Sequence, residues 1–185
     1  MVASPALRSL TLAGLAAAVV AASLYVFGTQ HTPDYSTSLF GQSGQDTLSL
    51  KSWLATGVLA FAGIQLGLAL WIYGRLPFVA IAPPQVGPIH RAIGAAAILL
   101  TIPIAYHCAF AYGVQTKIDT RIAVHSVAGC FLYGAFVAKV LIVHSPGWRL
   151  PGWALPLLGG TLVATVAVLW YTSALWYFND FKLPF

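Results

Sequence analysis

The chain has 185 residues, of which 59% are apolar and only 7% are charged. Soluble domains carry about 25% charged residues, so this composition excludes an ordinary water-soluble fold and predicts one that forms in lipid. The net charge of +5 comes from scattered basic residues without a run or stripe. It therefore predicts no nucleic-acid partner and fits the flanks of membrane spans.

The first predicted span covers residues 10–27, inside an uncharged stretch that follows Arg8. An apolar run after a basic residue resembles a secretory signal, and we interpret it as an uncleaved signal-anchor helix. Its many alanines suit close packing against another helix. The loop that follows, residues 28–50, is long and polar and contains His31, to which we assign no role.

Four further apolar segments are long enough to cross a bilayer, which takes about 20 residues in a helix. They cover residues 52–74, 89–112, 121–144 and 153–177, and short loops containing proline and glycine separate most of them. The expected fold is an all-α polytopic membrane protein in a single domain, with the signal-anchor helix followed by a four-helix bundle.

The lysines and arginines beside the spans favour one orientation. An N-terminus in the cytoplasm puts five of the nine on or near the cytoplasmic side, namely Arg8, Arg75, Arg91, Arg149 and Lys139, and four on the other side, namely Lys51, Lys117, Arg121 and Lys182. The aspartates all fall on the other side. A composition rich in alanine, valine and glycine but poor in lysine is typical of an actinobacterial membrane family. We therefore predict the plasma membrane of a bacterium, with the N-terminus cytoplasmic.

Four of the five histidines lie on the third and fourth spans, two on each, as His90, His107, His125 and His144. Each span reads His, three residues, Gly, and then a second His near the far end. A short loop joins the two helices, so they should run antiparallel. We therefore expect His107 to be level with His125 near one membrane face, and His90 to be level with His144 near the other.

Two imidazoles on facing helices are a natural axial pair for haem iron, and helix bundles often hold cofactors between facing helices. Gly94 and Gly129 follow the first histidine of each span by one turn, so they would leave room beside it for a porphyrin edge. Cations for the haem propionates stand near both pairs, in particular Arg91, Lys139 and Arg121. The sequence thus predicts a haem-binding bundle with the four histidines as iron ligands.

Simpler explanations of the same residues remain open. His90 and His144 lie close enough to the membrane surface to be merely solvated, and His107 and His125 could hydrogen-bond between helices. The glycines could be packing notches, and the cations could be snorkelling side chains. The two histidines of each span also lie about 100° apart around the helix. One haem between His107 and His125 therefore competes with two haems.

The stretches HRAIGAAAILLTIPIAYHCAFAYG and RIAVHSVAGCFLYGAFVAKVLIVH, which begin at His90 and Arg121, carry this pattern. They resemble the membrane b-type cytochromes, the group that includes dihaem cytochrome b and the ferric reductase transmembrane domains. The resemblance implies stacked haems held by His90, His107, His125 and His144 and an oxidoreductase subunit. In those families the paired histidines lie about four turns apart, whereas here the separations are about five turns.

We therefore expect a membrane b-type cytochrome subunit that transfers electrons across or within the membrane through one or two bis-histidine haem b groups. The sequence has no flavin, iron–sulfur or nucleotide motif, so electrons must come from or go to a separate redox protein, a respiratory complex subunit or a quinone. Gln65, Trp53 and Trp71 are candidate quinone-lining residues. The alternative is a cofactor-free structural or assembly subunit of a larger membrane complex. A transporter ranks last because the spans lack Asp and Glu.

Overall fold

In a computed structural model, which describes residues 4–145, 147–148 and 150–183, five long helices make up the fold. They are α1 (Pro5–Gln30), α2 (Gly44–Ile72), α3 (Val86–His107), α4 (Thr120–His144) and α5 (Ala154–Trp170). With the turns that extend α3 and α5, all five are long and apolar enough to cross a membrane. The predicted all-α polytopic fold with five membrane-spanning helices is confirmed.

The helices begin where capping residues allow it. The Ser4 side chain accepts a hydrogen bond from the Leu7 amide at the start of α1, and Asp119 caps α4 in the same way. α2 begins at Gly44, eight residues before the predicted span. Its first turns hold polar residues that the fold nevertheless buries, among them Lys51. A hydropathy profile assigns such a segment to a loop, because it reflects only the polarity of the residues and not their burial in the fold.

Two spans end in a π-helical turn. Cys108–Tyr112 continues α3, and Tyr171–Leu175 continues α5 before a last helical turn, Trp176–Phe178. A π turn accommodates one extra residue and often occurs at functional sites. Because α3 and α5 run in the same direction, both π turns lie at the same end of the bundle.

The two ends of the bundle differ in charge. We call the end where α1 begins the N-face and the end where α5 ends the C-face. The charges towards the N-face are the cations Arg8, Arg75 and Arg91, with Lys139 nearby. The C-face carries both signs, with the aspartates Asp34, Asp46, Asp119 and Asp180 beside the cations Lys51, Lys117, Arg121 and Lys182. The cytoplasmic position of the N-face stays a prediction, and Arg149, which contributed to it, lies outside the described residues.

The helices pack in the order α3, α2, α5, α4, α1. Small residues set the α1–α4 contact, since a Cβ added to Gly134 would lie 2.5 Å from the carbonyl oxygen of Ala17. Ala13 of α1 forms a buried cluster with Ala138 and Ile142 of α4. α3 and α4 do not pack closely, although a short loop joins them. We expected the two helices to face each other as neighbours, and the structure leaves them without close packing.

We call the space between α3 and α4 the α3–α4 cleft. At the C-face, the end of α1 closes it, because Val114 N donates to Gly28 O at 2.8 Å and the ring centroids of Phe27 and Phe110 lie 5.5 Å apart. The His31 ring also contacts the Phe110 carbonyl, at 3.1 Å. Towards the N-face, Ala13 of α1 packs on α4, and Leu155 and Leu158 of α5 pack against the same cluster. The end of α1 therefore closes the cleft at the C-face.

Candidate functional site

One hydrogen bond spans the α3–α4 cleft. Thr101 Oγ1 donates to the Ile98 carbonyl and lies 2.9 Å from Tyr133 Oη, so the tyrosine hydroxyl is the donor between them. The long side chain of Tyr133 thus bridges the two helices at this level. The bond also sets the register in which the antiparallel helices lie.

This register brings His90 and His144 to one level. His90 lies 11 residues before Thr101, and His144 lies 11 residues after Tyr133. Eleven residues are about three turns, or about 16 Å along each helix axis. Both histidines therefore lie near the N-face, each on the same stripe of its helix as the residue that makes the Thr101–Tyr133 bond. The same depth match was expected from the sequence for this pair.

His90 carries a buried ring nitrogen. Its Nδ1 has no hydrogen-bond partner among the residues that the structure describes. The amide of Gln65, a buried residue of α2, donates to the His90 carbonyl and holds this turn of α3 in place. The positive charges of Lys139 and Arg91 act on the ring. A buried polar atom without a partner is exceptional and calls for a ligand or water.

His144 also has a ring nitrogen to offer. Its Nδ1 lies 3.0 Å from the Val140 carbonyl, which can only accept, so Nδ1 carries the proton. The lone pair is then on Nε2, to which no described residue hydrogen-bonds. The side chain is exposed. Of the predicted propionate partners here, Lys139 is half-buried and Arg91 is exposed.

His107 is placed differently from the prediction. It is 2% exposed, with Nε2 at 3.0 Å from the Thr37 carbonyl and Nδ1 at 3.3 Å from Lys51 Nζ. The carbonyl requires a proton on Nε2, so the Nδ1 lone pair accepts from the Lys51 ammonium. Neither nitrogen is left for iron in this geometry. His107 faces α2 and the first loop, where the Lys51 ammonium also lies 4.5 Å from the Tyr112 ring centroid.

His125 faces α5. Its Nδ1 lies 2.9 Å from Thr172 Oγ1, which donates its own proton to the Val168 carbonyl at 2.7 Å and so accepts from the ring. This leaves the Nε2 lone pair free, the arrangement usual for a metal-bound histidine. However, His107 and His125 turn to different helices, and the described contacts do not bring their rings together.

Gly94, Gly129 and Arg121, which were predicted to surround the haem, lie in three different environments. A Cβ on Gly94 would lie 3.2 Å from Gln65 Oε1, so this glycine lets α2 approach α3, whereas Gly129 has open space within 4 Å. The Arg121 guanidinium stacks on Trp176 at 3.8 Å and donates to the Thr172 carbonyl at 2.8 Å. Arg121 therefore points to α5. Only Gly129 offers room of the predicted kind.

Lys51 is the residue that sequence reasoning missed. It is 9% exposed, and no described carboxylate pairs with it. The second span predicted from the sequence, residues 52–74, begins one residue after Lys51. A cation within a membrane span is a functional hypothesis by default. The sequence signal that could have placed Lys51 inside the helix is Asp46, because an acidic residue favours the first turn of a helix and so indicates that α2 begins before Lys51.

The candidate quinone-lining residues do not converge on one pocket. Trp53 lies near the C-face, where its ring meets the Phe178 ring edge-on at 5.1 Å. Trp71 lies at the other end of α2 and donates to the Ala80 carbonyl at 2.8 Å. Gln65 lies between them and is engaged with His90. The quinone stays a prediction without a site.

The chain belongs to a family of unknown function, DUF6529, whose profile covers residues 10–185. No curated protein and no solved structure matches the chain. The family match includes all four histidines of α3 and α4, and it assigns no activity to them.

Proposed function

We propose that this protein of the DUF6529 family is a membrane-embedded b-type cytochrome subunit with one haem b in the N-face half of the α3–α4 cleft. His90 and His144 are the proposed axial ligands. The observation that carries the proposal is the buried Nδ1 of His90, which lacks a partner, at the same level as the free Nε2 of His144.

The N-face end of the cleft offers two histidines for the haem iron and two cations for the haem propionates. A porphyrin supplies four nitrogens, so the protein needs to add only two. No group of three or more His, Cys, Asp or Glu side chains suitable for a bare metal ion occurs in the described ranges. Lys139 and Arg91 supply the positive charge that two propionates require.

When bound, the haem supplies one-electron oxidation and reduction. The surrounding residues orient and tune it. The Val140 carbonyl accepts the proton of His144 Nδ1, fixing the tautomer and making Nε2 a better donor to a metal. Gln65 fixes the backbone of His90. The charges of Lys139 and Arg91 favour the more negative, reduced state.

The position of the proposed haem near the N-face determines which redox partners could reach it. A haem near the N-face would exchange electrons with a redox protein, a respiratory complex subunit or a quinone at that face. With the N-face in the cytoplasm of a bacterium, as the positive residues favour, the partner would be cytoplasmic or in the inner leaflet.

The test is the visible spectrum of the detergent-purified chain, oxidised and dithionite-reduced, with a pyridine haemochrome count. We expect a b-type α-band and about one haem per chain, since one pair of histidines has free nitrogens. His90→Gln and His144→Gln should each abolish the bis-histidine spectrum. His107→Gln is the matched control, because glutamine can still donate to the Thr37 carbonyl and accept from Lys51. It should keep the full spectrum.

The other outcomes are decisive as well. A colourless chain from haem-replete cells, or a His90→Gln variant with an unchanged Soret band, would refute the proposal. Two haems per chain would restore the two-pair arrangement and require Lys51 to leave His107.

A cofactor-free structural subunit is the second candidate. It is favoured by the partners that the structure gives to His107 and His125, and by Gly94 and Gly134, which serve as packing notches. A colourless but folded protein whose deletion disrupts a larger membrane complex would support this role.

A further inference from the structure

A groove between α4 and the end of α5 lies at the C-face, away from the α3–α4 cleft. Its volume is about 410 Å³. Val124 and Val168 lie on its walls and are 43% and 40% exposed. Both belong to membrane-spanning segments, so the groove opens sideways to the hydrocarbon of the bilayer. Such a groove is accessible to a lipid chain from within the membrane.

The polar end of the groove holds one cation. Arg121 lines it, and its guanidinium is fixed in place by stacking on Trp176 at 3.8 Å and by the bond from Nη1 to the Thr172 carbonyl at 2.8 Å. A guanidinium has five N–H donors, so several remain for a phosphate. Its side chain is 18% exposed, which means that a bound anion would be partly desolvated and strongly held.

The carboxylate of Asp119 lies beside the Arg121 guanidinium. Asp119 also lines the groove, and its Oδ2 lies 3.8 Å from Arg121 Nε, well beyond the length of a charge-assisted hydrogen bond of about 2.8 Å. Its Oδ1 accepts from the Arg121 amide at 3.0 Å. The carboxylate is 49% exposed, so it can still take a second partner. The end of the groove thus presents one positive and one negative group side by side.

We propose that this groove binds a phosphatidylethanolamine-type lipid, with its phosphate on Arg121, its ammonium on Asp119 and an acyl chain along Val124 and Val168. A zwitterionic headgroup matches both charges at once. A primary ammonium can donate hydrogen bonds to the carboxylate, whereas a choline cannot. An anionic headgroup would place uncompensated negative charge beside Asp119. The site is independent of the proposed haem.

The test is lipid retention by the full chain in native mass spectrometry, with dioleoyl phosphatidylethanolamine, phosphatidylcholine and phosphatidylglycerol supplied in equal amounts. We expect about tenfold preference for phosphatidylethanolamine, equivalent to about 1.4 kcal/mol. Asp119→Asn retains a good helix cap but removes the charge, so it should abolish the preference over phosphatidylcholine. Arg121→Gln should weaken retention of all three lipids.

Lys117→Gln is the matched control, since Lys117 is an exposed cation of the same face outside the groove. It should leave both retention and preference unchanged. Equal retention of the three lipids by the unmodified chain would overturn the proposal, as would an Asp119→Asn variant that keeps the preference. Release of the lipid by soluble glycerophosphoethanolamine or inorganic phosphate at millimolar concentration would show a headgroup site for solutes instead. If Arg121→Gln fails to fold, the Asp119→Asn result decides alone.

Discussion

Lys51 and His107 are a pair in which each side chain depends on the other. The ammonium of Lys51 is buried, no carboxylate of the described residues pairs with it, and the lone pair of His107 Nδ1 accepts its hydrogen bond. The Tyr112 ring adds a cation–π contact. Burying a lone charge costs several kcal/mol, so the histidine stabilises the fold chiefly by giving this charge a partner.

We therefore predict strong coupling between the two positions. His107→Leu alone should destabilise the protein by about 3 kcal/mol, because it strands a buried ammonium. The double variant Lys51→Met and His107→Leu should recover most of that loss, since methionine fills the space without a charge. Unfolding midpoints in detergent for the two single variants and the double variant measure the coupling. Additive losses would show that the two residues do not stabilise each other.

The residue scale is also where sequence reasoning was least complete. The levels of the histidines followed from counting residues along two antiparallel helices. The partners of the rings did not, because the direction of a side chain depends on which helix packs beside it. His107 faces α2 and His125 faces α5, and neither fact is contained in the spacing of the two histidines.

At the scale of elements, α1 and α4 depend on small residues for their contact. In Gly134→Ala, the added Cβ would lie 2.5 Å from the Ala17 carbonyl, a backbone atom that cannot yield without moving α1. We expect a loss of about 1–3 kcal/mol of stability, the usual cost of overpacking. The unfolding midpoint measures it.

Gly129→Ala is the control on the same helix. A Cβ there would meet nothing within 4 Å, and alanine favours the helix by about 1 kcal/mol over glycine. This variant should be as stable as the unmodified chain or more so. Equal losses for both variants would show that the α1–α4 contact is looser than described.

The five spans could be predicted because each is a long apolar run. In a bilayer, such a run is expected to form a membrane-spanning helix. The order of packing could not be predicted in the same way. A short loop suggests that α3 and α4 pack together, but α2 packs on α3 and the small-residue face of α1 packs on α4. The π turns at Cys108–Tyr112 and Tyr171–Leu175 have no distinctive composition, so hydropathy did not indicate them.

At the scale of the whole molecule, the register across the α3–α4 cleft can be tested without any cofactor. In a chain with Cys108→Ser and Cys130→Ser, we expect His90→Cys and His144→Cys to be joined by a bifunctional maleimide. A spacer of about 10 Å spans the 8–10 Å between the axes of packed helices, and the two cysteine side chains add to this reach because α3 and α4 lie further apart. Mass spectrometry of the linked peptides measures the yield.

The control pair is His90→Cys with Val127→Cys, which combines opposite ends of the cleft. It should give no intramolecular product. A high yield for this pair and none for the first would place α3 and α4 in another register, and the proposed haem ligands would no longer be level.

The contact between α1 and α4 also has a consequence for biosynthesis. α1 ends at Gln30 and α4 ends at His144, so the ribosome adds more than a hundred residues between the two. At about 5–20 residues per second, α1 waits roughly 6 to 23 s for its partner. During that interval its small-residue face is uncovered in the bilayer, while α2 and α3 can already pair. A nascent chain stalled after α3 would therefore leave α1 free to dock elsewhere.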